Sequence, residues 1–251
     1  MERTNDLYIE NAYGPWPADR AFEPSYDPNT GQNHVGGTHI GDVDVYGGLV
    51  YAPYEDGSQD AGVTTLNDPE YQHPYIALYD AKTLLYTGRS YALPLAYHAA
   101  GVPWVAVNGT SQEIYTAEWD MPHDRINVFN IPTTTVPMTL QRTIDLNYPA
   151  PLPAGFHLSR IQGAKVFGGS LYATRDDSAK SVFKIDLATG TVTKLFSLNP
   201  GIPAELEGMA IRPTSDGALL HLLIVVHNKV DQSLDSKDIA VEFQHFALTC
   251  S

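Results

Sequence analysis

The sequence predicts an all-β chain assembled from repeated antiparallel units, and three observations predict it. Composition is the first: 251 residues with 15 Tyr, 20 Gly and 18 Pro suit many short strands joined by turns better than long helices. The second is the stretch His39-Ile-Gly-Asp-Val-Asp-Val-Tyr-Gly-Gly-Leu-Val-Tyr-Ala-Pro-Tyr-Glu-Asp56, in which two apolar-alternating runs flank a Gly-Gly turn, the pattern of a β-hairpin. The third is its return, 121 residues on and without a gap, as Arg160-Ile-Gln-Gly-Ala-Lys-Val-Phe-Gly-Gly-Ser-Leu-Tyr-Ala-Thr-Arg-Asp-Asp177. A recurring hairpin sets architecture before any residue sets function.

Four units can be read along the chain. Residues 1–38 are an arm rich in Pro, Asn, Asp and Gly with one short strand candidate at Leu7-Tyr-Ile-Glu10, and Trp16, Phe22 and Tyr26 as the residues to pack it down. The first unit takes the 39–56 hairpin and strands at 75–80 and 84–93. The second takes strands at 102–107, 114–118, 126–130 and 139–146, with a turn at Asn108-Gly109. The third takes 161–167, 171–174, 182–186 and 192–198, and its Asp186-Leu-Ala-Thr-Gly190 turn matches Asp80-Ala-Lys-Thr83 in the first. The fourth takes 208–212, a Ser215-Asp-Gly217 turn, 219–226 and 239–248, and stops one strand short.

Four-stranded antiparallel units at this spacing resemble the blades of a β-propeller, with the spare strand at 7–10 completing the last sheet and closing the ring. Four blades are legible, and the arm has room for part of a fifth. A β-sandwich also has short strands, but it does not predict homologous hairpins 121 residues apart. One domain over 1–251 is expected, since all-β folds of this size are often single domains.

Charge and cysteine usage exclude several function classes. Formal charge is −14, from 29 acidic and 15 basic residues, and no Lys/Arg cluster offers a nucleic-acid footprint. The longest apolar run, Ala218-Leu-Leu-His-Leu-Leu-Ile-Val-Val226, is too short for a membrane span and reads as a buried strand. Cys250 is the single cysteine, so no intrachain disulfide is expected and nothing supports a cysteine nucleophile. Met-Glu-Arg-Thr-Asn-Asp-Leu lacks the apolar core of a signal peptide, so the expectation is an intracellular protein or one whose leader has been removed. No GxSxG, P-loop, dinucleotide fingerprint or CxxC indicates a nucleotide cofactor or an elbow serine.

Chemistry is expected where the inner strands of successive blades open onto a common axis. Those openings are His39, His98, His157 and Glu207, separated by 59, 59 and 50 residues. As acid–base groups they would work beside Asp42 and Arg160, the latter suited to a substrate carboxylate or carbonyl. As ligands, three imidazoles and a carboxylate would suit zinc, iron or manganese, in the way some propeller lyases and oxygenases hold a metal with histidines from separate blades. Asp42 with His39 reads either as an acid–base pair or as a carboxylate bonding a neighbouring strand, and Asp44 as the structural one, its counterpart in the third unit being Lys165. Tyr97, Trp104, Trp119 and Phe156 offer an apolar wall for a substrate, or core packing. Glu55-Asp56 and Asp176-Asp177 read as solvated loop acids or a blade-edge calcium site.

Two family resemblances follow. Glu205-Leu-Glu-Gly-Met-Ala-Ile211 resembles the acidic strand opening of calcium-dependent lactonase-type propellers. Arg160-Ile-Gln-Gly-Ala-Lys165 together with Tyr-Ala-Thr-Arg-Asp-Asp, Val-Phe-Lys-Ile-Asp and Glu-Gly-Met-Ala resembles fungal propeller-like proteins of natural-product pathways, including hetero-Diels–Alderases of the tropolone-sesquiterpenoid type. That second resemblance implies no cofactor: a shaped pocket holds diene and dienophile while donors polarise a carbonyl, and proximity can supply about 7–11 kcal/mol. The leading expectation is therefore a small-molecule enzyme of non-redox lyase or cyclisation type. The competitors are a metal-dependent hydrolase or lactonase, and a non-catalytic propeller that binds a glycan or a protein.

Overall fold

The computed structural model describes residues 25–27, 32–34, 39–55, 74–99, 101–121, 123–201, 204–227 and 239–249. Strands β1 (Ser25–Asp27) and β2 (Gln32–His34) pair antiparallel within the N-terminal arm. The expected closing strand at 7–10, and the packing of Trp16 and Phe22, lie outside the described residues.

Blade 1 runs outward from an inner strand in two pieces, β3 (His39–Ile40) and β4 (Asp44–Tyr46), through β5 (Leu49–Glu55) and β6 (Tyr75–Asp80) to β7 (Tyr86–Ala92). A single helical turn, α1 (Leu95–His98), leads on to blade 2, made of β8 (Ala106–Asn108), β9 (Glu113–Thr116), β10 (Arg125–Asn130) and β11 (Leu140–Asp145). Blade 3 is β12 (Ile161–Phe167), β13 (Ser170–Arg175), β14 (Ser181–Asp186) and β15 (Val192–Ser197). Blade 4 shows three strands among the described residues: β16 (Ala204–Thr214), β17 (Gly217–His227) and β18 (Ile239–Thr249). The four antiparallel sheets form a four-bladed β-propeller, as the repeat predicts.

Alternation along the strands decides which blades share a core. Tyr51, Ile76 and Leu78 of blade 1 meet Val105, Ile114 and Phe129 of blade 2. Trp104, Tyr115 and Val128 of blade 2 meet Ile161, Leu171 and Phe183 of blade 3. Tyr172 and Val182 of blade 3 meet Leu206, Leu220, Leu222 and Ile224 of blade 4. Each such side chain, removed from water, contributes about 1.5–3 kcal/mol. Among the described residues the last seam has no shared cluster. The other face of blade 1 carries Ala52, Tyr54 and Ala77 with Tyr79 and Tyr86, and the other face of blade 4 leaves Val241 and Phe243 exposed.

The two matching turns form as read. Asp80 Oδ1 accepts from the backbone N–H groups of Lys82 and Thr83 and from the Thr83 hydroxyl. Asp186 Oδ1 does the same with Ala188 and Thr189. These bonds hold both carboxyls below the usual aspartate range, because each stabilises the ionised form. The departures from the expected strands are local: β16 starts at Ala204 rather than 208, and the approach to blade 2 contains α1.

Candidate functional site

The centre of the ring is organised by Asp42. Its backbone N–H donates to Pro103 O at 2.9 Å and its carbonyl accepts from Val105 N–H at 3.1 Å, a parallel bridge opposite Trp104 that joins the inner strands of blades 1 and 2. Its side chain crosses to blade 3, where Oδ2 accepts from Lys165 Nζ at 2.6 Å and from Ala164 N–H at 3.2 Å. Lys165 Nζ also donates to Ala164 O at 3.0 Å. Blade 4 comes close enough that a Cβ placed on Gly208 would lie 3.2 Å from Asp42 Oδ1. From blade 1, this residue thus bonds to blades 2 and 3 and borders the inner strand of blade 4.

The strand ladders explain why these side chains meet. Asp44, Ala106 and Lys165 lie opposite Tyr51, Tyr115 and Tyr172 in their own blades, so Asp44, Ala106 and Lys165 are equivalent. Two residues earlier, Asp42, Trp104 and Gly163 are then equivalent, and Gly208 matches Gly163 because each follows the ladder shift in its strand. A Cβ on Gly163 would stand 2.8 Å from Asp42 Oδ2 and 2.9 Å from Gly208 Cα. The carboxylate of one blade fills the space that glycine leaves in two others, and the lysine that replaces Asp44 neutralises it. Asp44 itself stitches blades 1 and 2, accepting from Val107 N–H at 2.7 Å and Val45 N–H at 2.9 Å.

Burial raises the Asp42 carboxyl to about 6, against the opposing pull of the Lys165 ammonium and its hydrogen bond. Desolvation outweighs an ion pair in such a site because the charged form loses more hydration than one partner returns. Asp44 is also raised by burial, with Lys165 and the Val107 N–H pulling the other way.

Beside Asp42 a cavity of about 270 Å³ is lined by Ile40, Gly41, Asp42, Val43, Gln162, Glu207, Gly208 and Leu223. Three β-bulges shape it. The β12 ladder jumps between Ile161 and Gly163, and the β16 ladder between Leu206 and Gly208. In blade 1, residues 41–43 oppose only Ala52 and Pro53, between the pairs Ile40 with Tyr54 and Asp44 with Tyr51. Gln162 and Glu207 are therefore extra residues in their strands, and a bulge re-aims its side chain. Asp42 Oδ1 has no hydrogen bond among the described residues. Asp42 thus lines the cavity with a carboxylate whose Oδ2 is fixed.

The residues singled out by sequence are dispersed. Asp42 and Glu207 come together on the cavity. Of His39 the backbone alone is described, paired opposite Glu55 on β5. His98 ends α1 fully buried, its Nε2 2.7 Å from Thr116 Oγ1 and 3.4 Å from Asn127 Nδ2, on the second and third strands of blade 2 rather than the innermost. Burial, with the Arg125 guanidinium adding to it, lowers its imidazole to about 3. His157 is exposed, with Nδ1 3.9 Å from Asp124 Oδ1. Arg160, at φ 55°, donates to Asp176 Oδ2 at 3.0 Å. Among the described residues no group of three or more His, Cys, Asp or Glu gathers around one point.

The four aromatics fare similarly. Trp104 is enclosed in the core between blades 2 and 3. The other three each carry an arginine on the ring face: Arg125 over Tyr97 at 4.6 Å, Arg160 over Trp119 at 5.6 Å and Arg175 over Phe156 at 5.1 Å, the arrangement that a ring quadrupole favours. Of the acidic pairs, Asp56 lies outside the described residues, and the other three acids are held by the fold. Glu55 accepts from Val102 N–H at 2.6 Å, Asp176 is buried against Lys180 and Arg160, and Asp177 accepts from Ala179 and Ser181. Sequence reasoning passed over Gln162 and Lys165 as site residues. The available signal was Lys165, a lone cation in an otherwise apolar strand, at the position where the repeat has an aspartate.

No family model and no curated protein sequence matches the chain. Among solved structures, the hydrazine synthase of Kuenenia stuttgartiensis aligns at a TM-score of 0.44 and 13% identity over 87% of this chain and 51% of its own. The WD40 repeats of RRP9 align at a TM-score of 0.43 and 12% identity over 80% and 50%. The chain spans about half the length of these structures. A propeller hosts many unrelated functions, so the mouth itself has to carry the functional argument.

Proposed function

We propose that this protein binds a small organic molecule in the cavity at the propeller mouth and that Asp42 exchanges a proton with it, in non-redox lyase or cyclisation chemistry that needs only the chain's own groups. The observation that carries the reading is a carboxyl held near pKa 6 on the wall of a cavity of about 270 Å³. That volume is just below the usual range of about 300–1,000 Å³ for small-molecule sites, so a compact ligand fits. A group poised near neutrality serves as base when ionised and as acid when protonated. Lys165 and Ala164 fix the carboxylate through Oδ2, and Oδ1 would be the oxygen that meets the ligand. Gln162 and Glu207 orient it, and Ile40, Val43 and Leu223 supply the apolar wall.

The hetero-Diels–Alder reading is the finer form of this proposal. It rests on the combined resemblance of residues 160–165, 172–177, 182–186 and 207–210 and on the same geometry: a protonated Asp42 is the donor that would polarise a dienophile carbonyl, and the mouth would hold the two reacting partners together.

The test is a crystallographic soak of a library of compact carbonyl and polyene compounds, followed by turnover assays of the hits with the wild type and Asp42→Asn. Hits in the mouth that wild type converts, and that Asp42→Asn binds but does not convert, support the proposal. Binding only at outer blade faces, or equal turnover by Asp42→Asn, overturns it. Hits in the mouth with no turnover in either protein favour a binding module.

A further inference from the structure

On blade 4 the register of β17 with β18 sets His221 directly opposite His245. Their Nδ1 atoms lie 2.6 Å apart, with ring planes at 78°. Two imidazoles meet in this way when one Nδ1 carries the shared proton and the other accepts it. A metal ion can replace that proton. We propose that His221 and His245 form a two-histidine chelate for a borderline divalent transition ion, zinc or copper, on the face of blade 4 turned away from blade 3. The pair shares its face with Leu223 of the cavity wall, but it does not depend on the reading of Asp42.

Geometry and chemistry both favour the chelate. Two imidazole nitrogens about 2.0–2.1 Å from one ion stand about 3.4 Å apart at a tetrahedral angle and about 2.9 Å apart at a right angle. Opening the pair from 2.6 Å therefore needs a movement of less than about 1 Å. The two Cα positions are held by a ladder continuous from Gly217 with Thr249 to His227 with Ile239, so ordering costs little on binding. Ala210 faces His221 across the β16 ladder. Alternation places Arg212, Leu219, Leu223, Phe243 and Ala247 on the same face, so the neighbouring ladder positions are mostly apolar, with one arginine. A pair of imidazole nitrogens selects zinc or copper over magnesium or calcium. Two imidazoles leave coordination positions for a further donor from protein or solvent.

The test is calorimetric titration of the full chain with zinc chloride, for wild type, His221→Ala, His245→Ala and His157→Ala, the last removing an exposed histidine outside the pair. One saturable equivalent that is lost in both pair variants and kept in His157→Ala supports the chelate. No saturable binding, or unchanged binding in the pair variants, overturns it. Electron paramagnetic resonance of wild type with one equivalent of copper needs no variant. Two coordinated imidazole nitrogens are expected, and one or none overturns the proposal even if a variant fails to fold.

Discussion

Asp42 and Lys165 meet across the centre of the ring at 2.6 Å, and they come from neighbouring rungs of the same repeated hairpin in different blades. Both are nearly buried, with side chains 12% and 10% exposed. A pair of this kind is costly to break from one side, since the remaining charge has no replacement solvent.

Replacing Lys165 with Met should therefore destabilise the fold by about 3–5 kcal/mol, measured as a shift in urea unfolding at pH 7. Adding Asp42→Asn to it should recover part of the loss, because the uncompensated charge is gone. A double variant no more stable than Lys165→Met would show that lysine packing, not charge, is what the first substitution removed.

The pH dependence has two opposed contributions. Asp42 is raised from 3.8 to about 6, so the folded state holds the extra proton between those values. Its cost is absent below about pH 4 and complete above about pH 6, worth about 3 kcal/mol by the linkage relation. His98 is lowered from 6.5 to about 3, so its contribution is whole above pH 6.5 and falls away as the pH drops toward 3. Relative to wild type, His98→Gln should gain stability as the pH falls from 6.5 to 4. Asp42→Asn should lose it between 6 and 4. Urea midpoints of the three proteins across that range check both signs.

Gly163 is a packing requirement at the hub. Gly163→Ala places a methyl 2.8 Å from Asp42 Oδ2 and 2.9 Å from Gly208 Cα, and overpacking of this kind costs about 1–3 kcal/mol. Thermal unfolding should show the loss. A crystal structure of the variant should show β16 displaced from β12.

Tyr148 links the turn before β10 to the approach to β12. Its hydroxyl donates to Asp124 Oδ1 at 2.6 Å and accepts from the Leu158 N–H at 2.9 Å, and burial is the main reason its phenol is raised above the ordinary value. Tyr148→Phe leaves the N–H of a fully buried residue unpaired, so a loss of about 1–3 kcal/mol is expected in denaturant unfolding.

Much of this fold was legible because hairpin chemistry is local. Gly47-Gly48 and Gly168-Gly169 hold positive φ at their turns, and Asp80 and Asp186 close theirs with the same bonds. The mismatch of Asp42 with Gly163 was also visible, and it marks the hub. What the repeat concealed was depth. His98 shares the spacing of His39 and His157 but sits at the end of a helical turn, because counting residues does not register a connection that folds back under the sheet. Gln162 was hidden for another reason: a bulge leaves composition and approximate alternation intact while changing which way a side chain points.

Those bulges also separate two kinds of constraint. A residue opposite a partner in the ladder is bound by strand pairing and by the blade beyond it. Gln162 and Glu207 stand at the extra position, outside that one-to-one count. Substitutions at Gln162 and Glu207 can therefore alter the polarity and reach of the mouth while the four sheets keep their registers. The rim is where this scaffold can change its ligand without being refolded.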